Sequence, residues 1–462
     1  MKKKSFKDLF WSLSDNLSQQ IMNFVVGIIL ARLLLPQDFG LVGIITVFLT
    51  ISNVLVDGGF SSALIHKKDL KNIDYNTVFY TNVFISTLIY ILLFIGSETI
   101  ASFFKRPELK GMIRIAGLNI VLLSFSAIHR TIIIRNLNFK LITLVSFIAV
   151  FISATSAIYL AYSGFGVYSL IYRVLIGEIA TILLFWILNK WRPKLEFSFE
   201  SLKGLFSYGS NLLFSNILNS LHSNLFYFII GKFYSPAQLG YYTRASTFRD
   251  LASSNISNTI KRVSFSTLSK INDHDKMVDE YLFFRNITYL CSSSCMLILF
   301  ACSEEIIVIL LSEKWLSSVW ILKSISSVGI FLTLYNIGLN FFAVIGNTKL
   351  LLKVEIFGKF LIIPIVIISL FTSFNTFITL IIIHTVIMYL IILELLRRMD
   401  KKIFSIDILN VSKFLFILLI SWILFNYLLS PFGNVYINLV VKSIIVLTLV
   451  VLTNIKVLKT IK

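Results

Sequence analysis

Apolar runs of about 20 residues, each long enough to cross the roughly 30 Å hydrocarbon core of a bilayer as a helix, recur along almost the whole chain. They leave little room for any other architecture. Fourteen such runs are read at about 9–31, 41–62, 77–97, 111–129, 141–162, 167–189, 205–230, 241–262, 282–302, 316–341, 350–371, 374–396, 413–430 and 435–455. In lipid every backbone N–H and C=O must find its partner inside the protein, so runs of this kind pack as helices. Composition agrees: 57% of residues are apolar and 14% charged, against a charged share of about 25% in soluble domains. The expected class is an all-α integral membrane protein with fourteen transmembrane helices and no soluble domain.

Charge sets the expected topology. When Lys and Arg are counted on alternate sides of the fourteen crossings, 30 of the 42 fall on the face that holds the N-terminus and 6 on the other. The remaining 6 lie within or at the edge of the crossings. Basic loops stay in the cytoplasm, so both termini are expected there. The basic start, Lys2 to Lys7, runs into Ser12, Ser14, Asp15, Asn16, Gln19 and Gln20 without a small-residue cleavage site, which argues against a removable leader. Most of the formal net charge of +19 is therefore topology, and with no groove-binding motif beside it, nucleic acid is not expected as a partner. Cys291, Cys295 and Cys302 share one apolar segment without convergent His or carboxylate groups, so they read as small hydrophobes and no metal site is expected.

The chain also repeats itself. Ile29 to Leu41, ILARLLLPQDFGL, matches Ile229 to Tyr241, IIGKFYSPAQLGY, at an offset of 200 residues, with Pro36 over Pro236, Gly40 over Gly240 and Arg32 over Lys232. Each copy reads as a helix end, a Pro turn and the start of a returning helix. Upstream the offset becomes 196, which lays Asp15, Gln19 and Asn23 over Asn211, Ser215 and Asn219. Spacing of four makes each set a polar line on one helix face. Six crossings precede the second copy, so the copies share one orientation and form parallel lobes. The expected domains are an N-lobe at 1–200, a C-lobe at 201–400 and two added helices with a tail at 401–462. A hydrophilic cavity is expected between the two six-helix lobes.

One stretch is too polar for lipid. Ser207 to Arg262 carries Asn211, Ser215, Asn216, Asn219, His222 and Asn224, then Arg244, Arg249 and Asp250. Its second half has a single apolar stripe, Tyr241, Ala245, Phe248, Ala252, Ile256 and Ile260. Such a helix predicts a polar side turned to water or to a polar ligand at membrane depth.

These residues carry a resemblance. The opening FKDLFWSLSDNLSQQIMNFVVGIILARLLLPQDFGLVGIITVF, the stretch DGGFSSALIHKKDLKNIDYNTVFYTN from Asp57 to Asn82, and YYTRASTFRDLASSNISNTIKRVSFSTLSKI from Tyr241 to Ile271 resemble the polysaccharide-exporter family. Within it they resemble Wzx-type flippases of the MATE-like superfamily, over at least the first 360 residues. Ser266 departs from the family pattern, which has a proline there. The resemblance implies translocation of undecaprenyl-diphosphate-linked oligosaccharide, the O-antigen or capsule repeat unit, across a bacterial inner membrane by alternating access. It names no particular glycan. Membrane lipid and other polysaccharide-assembly proteins are the further partners it implies, and a two-lobe cleft is complete in a monomer.

A flippase needs fixed cations for the diphosphate, and the planar, permanently charged guanidinium suits phosphate oxygens. Arg244 and Arg249 are the first candidates, with Arg114 and Arg173 behind them. Arg249 can equally pair with Asp250, and Arg114 can snorkel outward from the end of its helix. Sugars call for amides and hydroxyls, which Asp15, Gln19, Asn23, Asn211, Ser215 and Asn219 supply. The same groups serve equally well as hydrogen bonds between helices. No GxxxxGK[ST] pattern occurs, which argues against ATP. An H+ or Na+ gradient then remains as an energy source, with Asp57, Glu178 and His222 as candidate coupling groups, and no cofactor is expected. A MATE-type multidrug exporter and a flippase for another polyprenyl-linked precursor such as lipid II are the alternatives within the architecture. An enzyme such as a glycan polymerase would be expected to carry a long external loop, and none is read here.

Overall fold

The computed structural model describes the backbone of residues 2–271, 273–428, 434–455 and 457, and the side chains of these except 2–17, 211, 348 and 428. The described residues form helices joined by short turns. The helices are α1 (Lys2–Leu33), α2 (Pro36–Asp57), α3 (Phe60–His66), α4 (Asn72–Phe104), α5 (Leu109–Arg135), α6 (Phe139–Tyr162), α7 (Tyr168–Leu188), α8 (Phe199–Phe233) and α9 (Pro236–Ala252). They continue as α10 (Ser254–Leu268), α11 (His274–Ala301), α12 (Ser303–Leu311), α13 (Ser317–Ser327), α14 (Gly329–Val344), α15 (Thr348–Ser369), α16 (Phe374–Met399), α17 (Lys401–Ile423) and α18 (Val435–Thr453). Contacts divide the chain into two units, Met1–Gly240 and Tyr241–Lys462.

Among the described residues, nine segments are long and apolar enough to cross a membrane, or ten if the bent pair α13 and α14, which meet at 43°, is one crossing. The chain is a multi-pass membrane protein. Helix α8 is not among the nine, which fits its load of Asn216, Asn219, His222 and Asn224.

In the first unit the sequence specifies where helices start and stop. Pro36 opens α2, where its missing N–H costs nothing, and Asp38 accepts the Leu35 N–H at 2.9 Å. The helix stops because Gly58 and Gly59 take φ of 56° and 75°, values that a side chain would strain. The short α3 then continues toward His66. Helices α4 and α5 pack together, as do α6 with α7, α1 with α6, and α5 with α7; α2 lies against α8. The turn before α8 is fastened to the start of α4. Asp74 accepts from the Lys71 N–H at 2.9 Å, from Lys67 Nζ at 3.0 Å and from Ser201 Oγ at 2.5 Å. Asn76 and Thr77 accept the backbone N–H groups of Lys194 and Ser198.

The second unit is built around α11. Its apolar core gathers Tyr281, Tyr289, Phe341, Phe342, Tyr389 and Phe414 among aliphatic residues of α14, α16 and α18. Inside this core lies a fully buried ion pair. Arg285 of α11 donates through Nε and Nη2 to both carboxylate oxygens of Asp407 on α17, and through Nη1 to Tyr281 Oη at 2.6 Å and the Leu334 carbonyl at 3.2 Å. Lys442 of α18 similarly meets the nearly buried Glu305 of α12. The apolar stripe expected as one crossing from 241 to 262 is instead two helices, because the chain breaks at Ser253 (φ −120°, ψ −71°). Ala245, Phe248 and Ala252 of that stripe are buried; Ile256 and Ile260, past the break, are only partly so.

Candidate functional site

The first unit encloses a cavity of about 720 Å³ walled by α1 to α7. Apolar side chains such as Val56, Ile142 and Phe185 form part of its lining, and charged groups project among them. Four of these decide its chemistry: Asp57 at the end of α2, Arg130 on α5, and Arg173 and Glu178 on α7. Arg173 donates through Nη2 to Asn23 Oδ1 on α1 at 2.6 Å. Glu178 accepts from Ser126 Oγ on α5 at 2.6 Å, and Asp57 accepts from Ser61 Oγ at 2.5 Å. Three of the four are thus steadied by neutral groups. A neutral partner fixes a charged side chain's direction without cancelling its charge, which leaves the group able to meet a charged ligand.

Local sequence explains the arrangement. Five residues separate Arg173 from Glu178, so they leave α7 in different directions, one to α1 and one to α5. Ser126 and Arg130 are one turn apart on α5, with Leu123, Ala127, Thr131 and Ile134 on the same lined face. Gly177 lets α6 approach α7 closely; a Cβ there would stand 3.2 Å from the Ser153 side chain. Asn82 of α4 is fully buried at the cavity wall, and neither its Oδ1 nor its Nδ2 has a protein partner. The Asn53 Oδ1 is unpaired there too.

Of the residues singled out from sequence, the cavity brings together Gln19, Asn23, Asp57, Arg173 and Glu178. Others lie elsewhere. Arg114 turns to α4, donating through Nε to Ser97 Oγ at 2.9 Å with its guanidinium 4.4 Å from the Phe94 ring centre. Arg249 forks onto Asp250 Oδ1 at 2.8 and 2.9 Å, the pairing that sequence offered as its alternative role. Arg244 is half-buried on α9, and His222 half-buried on α8. Ser215 and Asn219 are exposed on α8. The side chains of Asp15 and Asn211 lie outside the described residues. Sequence reading missed Arg130, Ser126, Asn53 and Asn82. Arg130 falls with the loop charges in a sequence reading because the fourth apolar run fades at 129, but α5 continues to Arg135, whose guanidinium donates to the carbonyls of Leu64, Lys67 and Lys68. The face shared by Ser126 and Arg130 was the available signal. Among the described residues no group of three or more His, Cys, Asp or Glu is placed to hold a metal ion.

The arrangement of helices in this multi-pass chain has counterparts among solved structures. It is similar over 97% of its length, and over all of the other chain, to the lipid II flippase MurJ in an inward closed conformation, with a TM-score of 0.74 at 17% identity. It is also similar to an inward-facing multidrug resistance MATE family transporter of the MOP superfamily, with a TM-score of 0.64 at 17% identity, covering 83% of this chain and 95% of that one. At such identity the likeness is one of fold.

Residues 29–320, more than half of the chain, match the polysaccharide biosynthesis protein family, and the chain belongs to it. Teichuronic acid biosynthesis protein TuaB of Bacillus subtilis (strain 168) is 27% identical over 291 residues, 62% of this chain and 60% of the relative. Succinoglycan biosynthesis transport protein ExoT of Rhizobium meliloti (strain 1021) is 22% identical over 310 residues, 67% of this chain and 63% of the relative. Lipopolysaccharide biosynthesis protein WzxC of Escherichia coli (strain K12) is 22% identical over 372 residues, 80% and 76% of the two lengths. The chain thus spans less than two thirds of the length of the first two.

Proposed function

We propose that this protein is a flippase that moves undecaprenyl-diphosphate-linked oligosaccharide repeat units across the bacterial inner membrane for surface polysaccharide assembly. The observation that carries the reading is the first unit's cavity, where Arg130 and Arg173 share polar walls with Asn and Ser side chains inside a sheath of apolar helices. A diphosphate carrying sugars needs this mixture: guanidinium groups for phosphate oxygens, amides and hydroxyls for sugar hydroxyls. The prenyl tail can stay in lipid while the headgroup travels, so the protein has only to shelter the polar end. The relatives named for polysaccharide assembly and transport support the same reading.

In this proposal Arg173 and Arg130 grip the diphosphate, and Gln19 and the α8 line Ser215 and Asn219 meet sugars. Asn23 acts by aiming Arg173. Arg244 remains a second cationic candidate; Arg249 and Arg114, each already engaged, do not lead. Two six-helix lobes with two added helices would alternate access to the two sides, with both termini cytoplasmic. H+ or Na+ exchange at Asp57 or Glu178 would drive the cycle, and one chain would suffice. The fold it shares with MurJ also suits a flippase for another polyprenyl-linked precursor.

The test uses a strain lacking its own flippase, complemented with this chain or with Arg173→Ala, with lipid-linked intermediate quantified on each side of the inner membrane. Losing one charge-assisted contact removes about 1.5–3 kcal/mol, so export by Arg173→Ala is expected to fall roughly ten- to a hundredfold at matched membrane insertion. Undiminished export by Arg173→Ala would remove the cavity from the mechanism. Clearance of lipid II but not of glycan-linked intermediates by the intact chain would favour the second reading.

A further inference from the structure

The repeated Pro-x-x-x-Gly motif closes on itself. A Cβ added to Gly40 would overlap the carbonyl of Pro236, and one added to Gly240 would overlap the carbonyl of Pro36. The Cα atoms of the same prolines would stand only 3.0 and 3.2 Å from those added carbons. Each glycine of one copy therefore seats on the proline of the other, a reciprocal contact of the kind a local twofold produces. Phe228 and Lys232 of α8 flank it, packed on Phe103 and Phe104 at the end of α4.

The opposite end of α8 makes a second seat of the same kind. An added Cβ at Gly59 would overlap the Gly209 carbonyl, and one at Gly209 would come within 2.9 Å of the Gly58 carbonyl oxygen. Beside it the rings of His66 and Tyr208 stack at 4.7 Å, tilted by 9°. Between the seats one face of α8 is uncovered: Phe214 is 66% exposed, and Ser215, Asn216, Asn219 and Ser223 are exposed as well, while Ser220 and Asn224 are buried. All these residues lie in the first unit.

We infer that these two glycine seats are the gates of the transport path, the Pro-x-x-x-Gly pair on the non-cytoplasmic side and Gly58, Gly59 and Gly209 on the cytoplasmic side. The inference rests on the flippase reading above and on the topology set by basic loops. Backbone laid on backbone gives a tight closure, each such contact worth only about 0.5–1 kcal/mol, with aromatic contacts packed beside it at both ends. Such a closure excludes a headgroup, and opening the inner one would also draw Leu205 of α8 away from Phe60 and Leu64 of α3. Between the seats α8 exposes Ser215, Asn216, Asn219 and Ser223.

The experiment places a reporter, Leu218→Cys, in a chain whose Cys291, Cys295 and Cys302 are alanine. Labelling by a membrane-impermeant maleimide is followed from each side of sealed vesicles. Gly40→Leu or Gly240→Leu should wedge the outer seat and raise labelling from the non-cytoplasmic side at least about fivefold; Gly209→Leu should do so from the cytoplasmic side. In a second variant with both seats' glycines intact, His66→Cys with Tyr208→Cys is joined by a short, reducible thiol crosslinker. Crosslinking should stop glycan export, and reduction should restore it. Unchanged labelling in folded, inserted wedge variants, or full export by the crosslinked chain, would overturn the gates. The labelling arm needs no glycan, so gated labelling without export would count against the flippase reading and not against the gates.

Discussion

The two units treat intramembrane charge in opposite ways. In the second, Arg285 and Asp407 are both wholly buried and spend their charge on each other, and Lys442 meets Glu305 in the same manner. In the first, Arg173, Glu178 and Asp57 face a cavity and are steadied by Asn23, Ser126 and Ser61. A charge matched by a countercharge joins helices; Arg173, aimed by a neutral amide, keeps its field for a guest, while Glu178 lies also within the field of Arg130. This difference separates scaffold from site inside one membrane chain. It also explains what fastens the last two helices, since α17 contributes one member of a buried pair to α11, and α18 one member of a partly buried pair to α12.

The sharpest way to break the comparison is to strip one partner from the closed pair. Arg285→Ala or Asp407→Ala leaves an isolated buried charge, a loss of about 3–5 kcal/mol. The expected result is a collapse in folded yield, read by thermal unfolding of the purified protein, while an Arg285→Met, Asp407→Leu double variant retains more stability than either single one. A single variant with native stability would place that charge in contact with water. A smaller effect of another kind is expected at Asn23. Asn23→Ala should lower export several-fold, in proportion to lost aim of Arg173, with stability changed by no more than about 1 kcal/mol. If stability falls as far as in the second unit, Asn23 is a strut and the contrast fails at that point. Smallest of all is the exposed pair Lys402–Asp279 at 2.5 Å, its side chains 56% and 63% exposed. Lys402→Ala should shift stability by less than about 1 kcal/mol, which sets the baseline for calling the other effects specific.

Much of this was written in the order of residues. Apolar runs placed most of the helices, because lipid leaves the backbone no other way to satisfy itself, although among the described residues nine or ten segments, not fourteen, are long and apolar enough to cross. Gln19, Asn23, Asp57, Arg173 and Glu178 stood out as polar residues in apolar segments, and they do converge. What the order did not reveal was partnership. Arg173 and Arg114 look alike in sequence, yet one finds Asn23 across 150 residues while the other lies over Phe94 on the next helix back. Arg285, close to the start of an apolar run, was counted as a loop charge, because nothing near it signals Asp407, 122 residues away. The break at Ser253 escaped for a related reason: the apolar stripe runs unbroken through it, and only backbone angles show the discontinuity.

The glycine seats also bear on how the chain is made. Gly40 is covered only when Pro236 has arrived, and Gly58 and Gly59 only when Gly209 has. At about 5–20 residues per second, some 200 residues separating the two halves of the outer seat correspond to roughly 10–40 s of synthesis. Through that interval α2 waits in the membrane with its glycine faces open. The opening helix of the second copy is then what completes the first unit, so a ribosome that stalls at the junction of the repeats leaves a half whose seam is unsealed.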